Sequence, residues 1–248
     1  MKIAMKTGEQ LLVNGAEIYR VEDTVYRILE SVINVTEIEV ISTYSSIMIS
    51  FYYDVHITCI KKIKDRTINL YKIKKVNDFS RRFVRGDISF DEAETILEDI
   101  EGIEPYSGKY RVAMAAFGSS MFTLGLKGTA LDAIMTFIAV LISQFVLSRT
   151  RHTGRKYFME TLYGAVIVSF VAILADSLNI ISNLDLVIIG SIMILFPGVA
   201  ITNAVRDIMN GDMVSGLIGM IQATFVSIAL AIGVGLIIKS YIFLGGLL

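Results

Sequence analysis

Pro197 and Gly198 stand side by side near the middle of an otherwise apolar stretch, Leu186 to Val205. A proline there withdraws a backbone donor and a glycine relaxes the chain beside it, so the pair breaks or kinks a helix. If a helix restarts at Pro197, the free amides of its first turn carry partial positive charge, which suits an anion at membrane depth. Thr202 and Asn203 add hydrogen-bonding groups about one turn further on, and Arg206 and Asp207 follow at the segment's end. A proline kink, with Thr202 and Asn203 satisfied by neighbouring helices, fits the same spacing, and so does a structural Arg206/Asp207 pair.

A second apolar stretch is interrupted by Gly118-Ser119-Ser120. Two short, Gly-interrupted apolar segments point to a transport site, although small residues also let helices approach closely. Carboxylates near or inside apolar segments are costly and need a partner, a watery cavity or a role in moving a proton. Asp132, Asp176 and Asp212 are the candidates for proton or ion coupling, and Glu160 has a similar position. For Asp132, Asp176 and Glu160 a solvated interfacial carboxylate is the alternative, and for Asp212 it is a structural Arg/Asp pair. His56, His152 and the lone Cys59 offer no zinc-type cluster, and no Walker A sequence occurs. No Ser, Cys or Thr is marked as a nucleophile beside a base, so the residues carry no catalytic, metal or cofactor assignment.

These residues lie in a chain of two contrasting parts. Residues 1–111 hold 16 Lys/Arg and 18 Asp/Glu, while residues 112–248 hold 7 and 6. With 54% apolar residues and a mean hydropathy of +0.62, a fully water-soluble domain is excluded. A net charge of −1 argues against nucleic acid as a partner. The chain is therefore read as an α-helical integral membrane protein, with a cytoplasmic α+β domain over 1–110 and a five-helix transmembrane domain over 111–248.

In the first part, apolar residues from Leu11 to Val32 fit a 3.6 period and predict one amphipathic helix over Gln10–Val32. Alternation around Ile38–Val40, Ile49–Phe51 and His56–Ile60 predicts two or three antiparallel strands with a tight connection at Tyr53-Asp54. A helix through Leu70–Phe83 should stop at Gly86, and Ser89 with Glu92 forms a capping-box pattern for a helix ending near Gly102. Lys61–Arg85 carries ten basic residues and Asp87–Glu104 eight acids. The favoured reading is mutual neutralisation of two adjacent helices; the sharper one lays the basic stretch on anionic membrane lipids.

In the second part, five segments are expected to span: Val112–Leu126, Thr129–Ser148, Tyr157–Leu178, Leu186–Val205 and Met213–Ile238. Basic connections, Arg149 to Lys156 and Arg206, alternate with poorly basic ones, placing the N-terminus in the cytoplasm and the C-terminus outside an inner membrane. Gly216 with Gly219, Ala229 with Gly233 and Ala231 with Gly235 belong to helix packing. An odd set of spans would pair with an inverted second set, expected from another polypeptide.

Gly15-Ala16-Glu17-Ile18-Tyr19-Arg20-Val21-Glu22 and Pro197 through Asp207, followed by Gly211-Asp212 and Ser215-Gly216, resemble the two signature stretches of the threonine/serine exporter family. The resemblance covers essentially the whole chain and matches the larger, five-span subunit of the two-subunit type. It implies a smaller integral membrane partner and export of small amino acids driven by an ion gradient, read as the proton gradient. It also brings in dicarboxylate (succinate-like) efflux as an alternative, and leaves a higher oligomer open. Glu17, Arg20 and Glu22 are carried over from the first motif as secondary candidates. On a helix Glu17 and Arg20 also read as a weak i,i+3 surface pair. A membrane-anchored enzyme and a non-transporting scaffold or sensor are the competing classes.

Overall fold

The computed structural model describes residues 1–64, 66–103, 106–150, 157–243 and 245. Arg151, His152, Arg155 and Lys156, which the orientation reading invokes or the metal survey includes, lie outside the described residues. The chain divides into two compact units: Met1–Glu104 with Gly198–Ile221, and Pro105–Pro197 with Gln222–Leu248.

The first unit begins with two helices, α1 (Lys2–Val13) and α2 (Ile18–Glu30), where one was expected. Gly15 causes the break. At φ +86° it takes the left-handed conformation, and the amides of Gly15 and Ala16 return to the carbonyls of Leu12 and Leu11. That is a Schellman stop, which ends α1 and reverses the chain. Three strands follow, β1 (Thr36–Thr43), β2 (Ser46–Tyr53) and β3 (Val55–Lys62), in an antiparallel sheet of order β1-β2-β3. Asp54, at φ +58°, makes the tight reversal between β2 and β3. Helix α3 (Leu70–Val84) is stopped by Gly86 in a second Schellman arrangement, and α4 (Phe90–Gly102) starts from the expected capping box.

Ile47, Ile49 and Phe51 of β2 enter a core with Leu11 and Leu12 of α1, Val21, Val25 and Ile28 of α2, and apolar residues of α3 and α4. Among the described residues no ion pair joins the two charged stretches, for which mutual neutralisation was the favoured expectation. Glu94 of α4 pairs with Lys2, and Glu98 and Glu101 lie 3.2 and 3.8 Å from Lys6, all on α1. The basic side chain that links α3 to α4 is Lys72, whose Nζ donates to the Glu101 carbonyl at 2.7 Å. The core face of α4 turns its flank to α1, so its acids meet the lysines there. The same unit holds α9 (Gly198–Met209) and the beginning of α10 (Met213–Phe243). A Cβ on Gly216 would stand 2.7 Å from the Ala204 carbonyl, so α9 and α10 touch through small residues.

The second unit is helical: α5 (Gly108–Gly125), α6 (Ala130–Thr150), α7 (Tyr157–Ser177), α8 (Leu184–Ile192) with a 3₁₀ turn over Met193–Leu195, and the remainder of α10. Ala130–Arg149, Phe158–Ser177 and Met213–Phe243 are long and apolar enough to cross a membrane. The two pieces on either side of Pro197, Leu184–Leu195 and Gly198–Met209, pass that test only when taken together, which makes three to four candidate spans among the described residues. Helix α5 forms as expected, but its 18 residues include Lys109 and Arg111. Gly233 of α10 approaches α7 closely, since a Cβ there would meet Ala165 Cβ at 2.7 Å, whereas Gly235 faces open space among the described residues.

Candidate functional site

The interruption at Pro197 is local and abrupt. Phe196 is extended, with φ −71° and ψ 133°, as a residue before proline prefers, and α9 begins at Gly198. The first-turn amides of α9 have no carbonyl within their own helix to bond. Thr202, exposed, donates its hydroxyl back to the Gly198 carbonyl at 3.0 Å.

Further along α9 the side chains reach the N-terminal signature stretch, all within the first unit. Asn203 Nδ2 donates to the Gly15 carbonyl at 2.9 Å. Arg206 Nη1 donates to Glu17 Oε1 at 2.8 Å, and Arg20 Nη1 donates to Glu17 Oε2 at 3.2 Å. The amide of Ile18, first residue of α2, donates to Asp207 Oδ1 at 3.0 Å, so this buried carboxylate caps α2 from 189 positions away. The structure thus brings together Asn203, Arg206, Asp207, Glu17 and Arg20. The Glu17–Arg20 pair expected from i,i+3 spacing is present and is extended by Arg206.

Arg66 joins the same junction: its Nη2 donates to the Ala16 carbonyl at 3.0 Å and its guanidinium lies 4.4 Å from the Tyr44 ring centre. Nothing in the sequence distinguishes Arg66 from the rest of the basic run. Glu22 accepts from the Ser42 amide at 2.6 Å. Burial pushes the Glu17 carboxyl up, yet hydrogen bonds from its own backbone, Arg206 and Arg20 outweigh this and hold it below the usual glutamate range. Burial raises the Glu22 carboxyl despite the Ser42 amide, and the Asp212 and Asp207 charges add to the rise. Burial also raises Asp212.

This geometry ranks the junction's parts. Arg206 is more than half exposed, and such pairs contribute about 0.2–1 kcal/mol. Asp207 is buried and satisfies a helix N-terminus, a role worth about 0.5–2 kcal/mol. Asp207→Ala should therefore lower the thermal transition of the purified chain more than Arg206→Ala; the reverse order would show that the exposed ion pair, and not the cap, holds the junction.

The second unit carries a separate polar cluster where α5, α6 and the start of α8 meet. Ser120 Oγ donates to the Ala133 carbonyl at 2.9 Å, and the hydroxyls of Thr123 and Thr136 are 2.9 Å apart. Gly190 of α8 packs against Thr123 so closely that a Cβ would overlap its hydroxyl. Asp132, fully buried, accepts at Oδ1 from the amides of Ser182 (2.9 Å) and Asn183 (3.3 Å). At Oδ2 it accepts from the Thr129 amide and Asn183 Nδ2, both at 2.9 Å. It closes a capping box with Thr129 at the start of α6 and also serves the amides preceding α8.

Ser119 is buried and its carbonyl accepts from Thr123 Oγ1, whereas Gly118 is exposed with nothing near the position of a Cβ. Asp176 accepts a hydrogen bond from the Tyr241 hydroxyl at 3.3 Å. Asn183, Thr123 and Thr136 were not expected, because isolated polar residues at or near helix termini carry no signal of a shared cluster until the facing helix is known.

A family model described as "Putative threonine/serine exporter" matches residues 2–241. A "Probable threonine/serine exporter" from Mycobacterium tuberculosis is 21% identical over 183 residues, 72% of this chain and 34% of that protein, so the chain spans about a third of that relative's length. A "Probable succinate transporter subunit YjjP" from Klebsiella aerogenes is 22% identical over 235 residues, 94% of this chain and 90% of that protein. No solved structure matches.

Proposed function

Because the chain belongs to the threonine/serine exporter family, we propose that it is the larger subunit of a two-subunit secondary exporter for small carboxylate-bearing metabolites. Threonine- and serine-type amino acids are the leading substrates, and the proton gradient is the driving force. The observation that carries the site reading is the helix restart at Gly198 on a segment whose distal side chains are already engaged. Asn203, Arg206 and Asp207 act as positioning residues that hold α9 to the Gly15–Ile18 turn. The first-turn amides of α9, with Pro197, Gly198 and Thr202, are left to receive the substrate carboxylate. Gly118, Ser119 and Ser120 of α5 are retained as substrate-binding residues of the second unit.

Proton coupling is assigned to Asp176 with Asp212 in support, since both Asp132 oxygens already accept two donors each. With α5 as a fifth span, residues 1–110 would lie in the cytoplasm and the C-terminus outside the inner membrane, consistent with the basic connections. The partner is a smaller integral membrane subunit, which the naming of the Klebsiella relative as a subunit supports. The second reading, dicarboxylate export, rests on that relative's description and on the similarity along nearly its whole length.

Reconstitution into proteoliposomes under an imposed proton gradient tests both readings. Saturable flux of labelled threonine or serine is expected when the chain is purified together with its small subunit, with loss on adding a protonophore. Flux of succinate alone would replace the first reading by the second. Equal flux from this chain by itself would remove the two-subunit assignment.

A further inference from the structure

Helix α3 exposes Lys74, Lys75, Arg81, Arg82 and Arg85 in one stripe that follows steps of three and four, with Asp78 the acid among them. Among the described residues none of these five cations makes an ion pair, because the α4 carboxylates that do pair are held by Lys2 and Lys6 of α1. Lys75 Nζ lies instead 5.5 Å from the Tyr71 ring centre. Beside the stripe a cleft of about 730 Å³ opens between α3 and α4. Its floor includes Phe79, Ile100 and Ile103, and its rim carries Lys75, Arg82 and Arg85, with Asp78 and Asp99 also lining it. Ile68, Leu70 and Tyr71 at the N-terminal end of α3 are about half exposed or more.

Clustered cations beside exposed aliphatic and aromatic groups form a surface suited to an anionic amphiphile. We propose that the α3 face and its cleft bind the acidic phospholipids of the bilayer that holds the apolar helices. The phosphate diester sits against Lys75, Arg82 and Arg85, and the glycerol and upper acyl region cover the exposed Leu70 and Tyr71 and the partly buried Ile103. A free phosphate would use only the cations and leave the exposed Leu70 and Tyr71 in water. A lipid also has the advantage of proximity, since α10, whose first residues belong to this unit, is long and apolar enough to cross a membrane and keeps the unit at high local concentration beside it. The inference is independent of what the protein transports.

The full chain, as Cys59→Ser with a fluorophore on Val84→Cys, is placed in nanodiscs of phosphatidylcholine alone or mixed with phosphatidylglycerol, and headgroup-labelled quencher lipids report contact. Quenching is expected only in the phosphatidylglycerol discs. Each basic residue at an anionic surface strengthens contact about fivefold, so Lys75→Gln, Arg82→Gln and Arg85→Gln combined should weaken it roughly a hundredfold. If that triple variant misfolds, a salt series on the labelled chain without those three changes carries the test. Contact should fade as the screening length falls from about 10 Å at 0.1 M to about 3 Å at 1 M. Inorganic phosphate should not displace the lipid; displacement would assign the rim to a free anion and overturn the proposal. Equal quenching in both kinds of disc, or none in either, would also overturn it.

Discussion

Asp132→Ala should lower the thermal stability of the purified chain more than the loss of any other carboxylate considered above. Removing this side chain leaves four donors without their acceptor: the amides of Thr129, Ser182 and Asn183 and the Asn183 side chain. These donors are part-buried and water can reach them, so at about 0.5–1.5 kcal/mol per hydrogen bond the loss is on the order of 3 kcal/mol. Asp132→Asn keeps the shape but turns an N–H toward groups that are themselves donors, and should cost about half as much. Asp176→Asn removes the acceptor of one hydrogen bond from Tyr241, a change worth about 0.5–1.5 kcal/mol. Thermal scans of the three variants in one detergent separate the roles. An Asp132→Asn chain of unchanged stability that has lost proton-coupled flux would make Asp132 a coupling group and refute the structural assignment.

Gly198→Leu is expected to abolish export while leaving expression and assembly with the small subunit intact. Gly198 opens α9 and is not among the glycines with positive φ, so leucine is compatible with its backbone and the effect is one of filled space. The proposed anion seat requires the substrate carboxylate to approach the first-turn amides to hydrogen-bonding distance, which a four-carbon side chain at that point prevents. Asn203→Ala should act differently. It frees the Gly15 carbonyl and costs about 0.5–1.5 kcal/mol of junction stability, giving weakened and not abolished export. Normal export by Gly198→Leu at equal expression would return Pro197-Gly198 to a packing kink. Equal loss from both substitutions would place the function in the α9 junction as a whole.

Local chemistry made much of the architecture legible before any fold was known. The Ser89–Glu92 capping box, the stop at Gly86, the reversal at Asp54 and the break before Gly198 all depend on residues within a few positions of one another. The apolar segments likewise announce a membrane by length alone. Gly15 escaped because Leu11 and Ile18 are seven apart, so the apolar phase runs unbroken across the turn and one helix fits the pattern as well as two. Tertiary structure decided what periodicity cannot encode. Glu17 and Arg206 are 189 residues apart, Asp132 and Asn183 are 51 apart, and no spacing rule links them. The same holds for charge: the composition of Lys61–Glu104 predicts cancellation between neighbouring helices, but α1 supplies the partners of the α4 acids. Charges and hydrogen-bonding groups act over a few ångströms in space, so their pairing depends on which faces the core turns toward one another, and only the folded chain determines that.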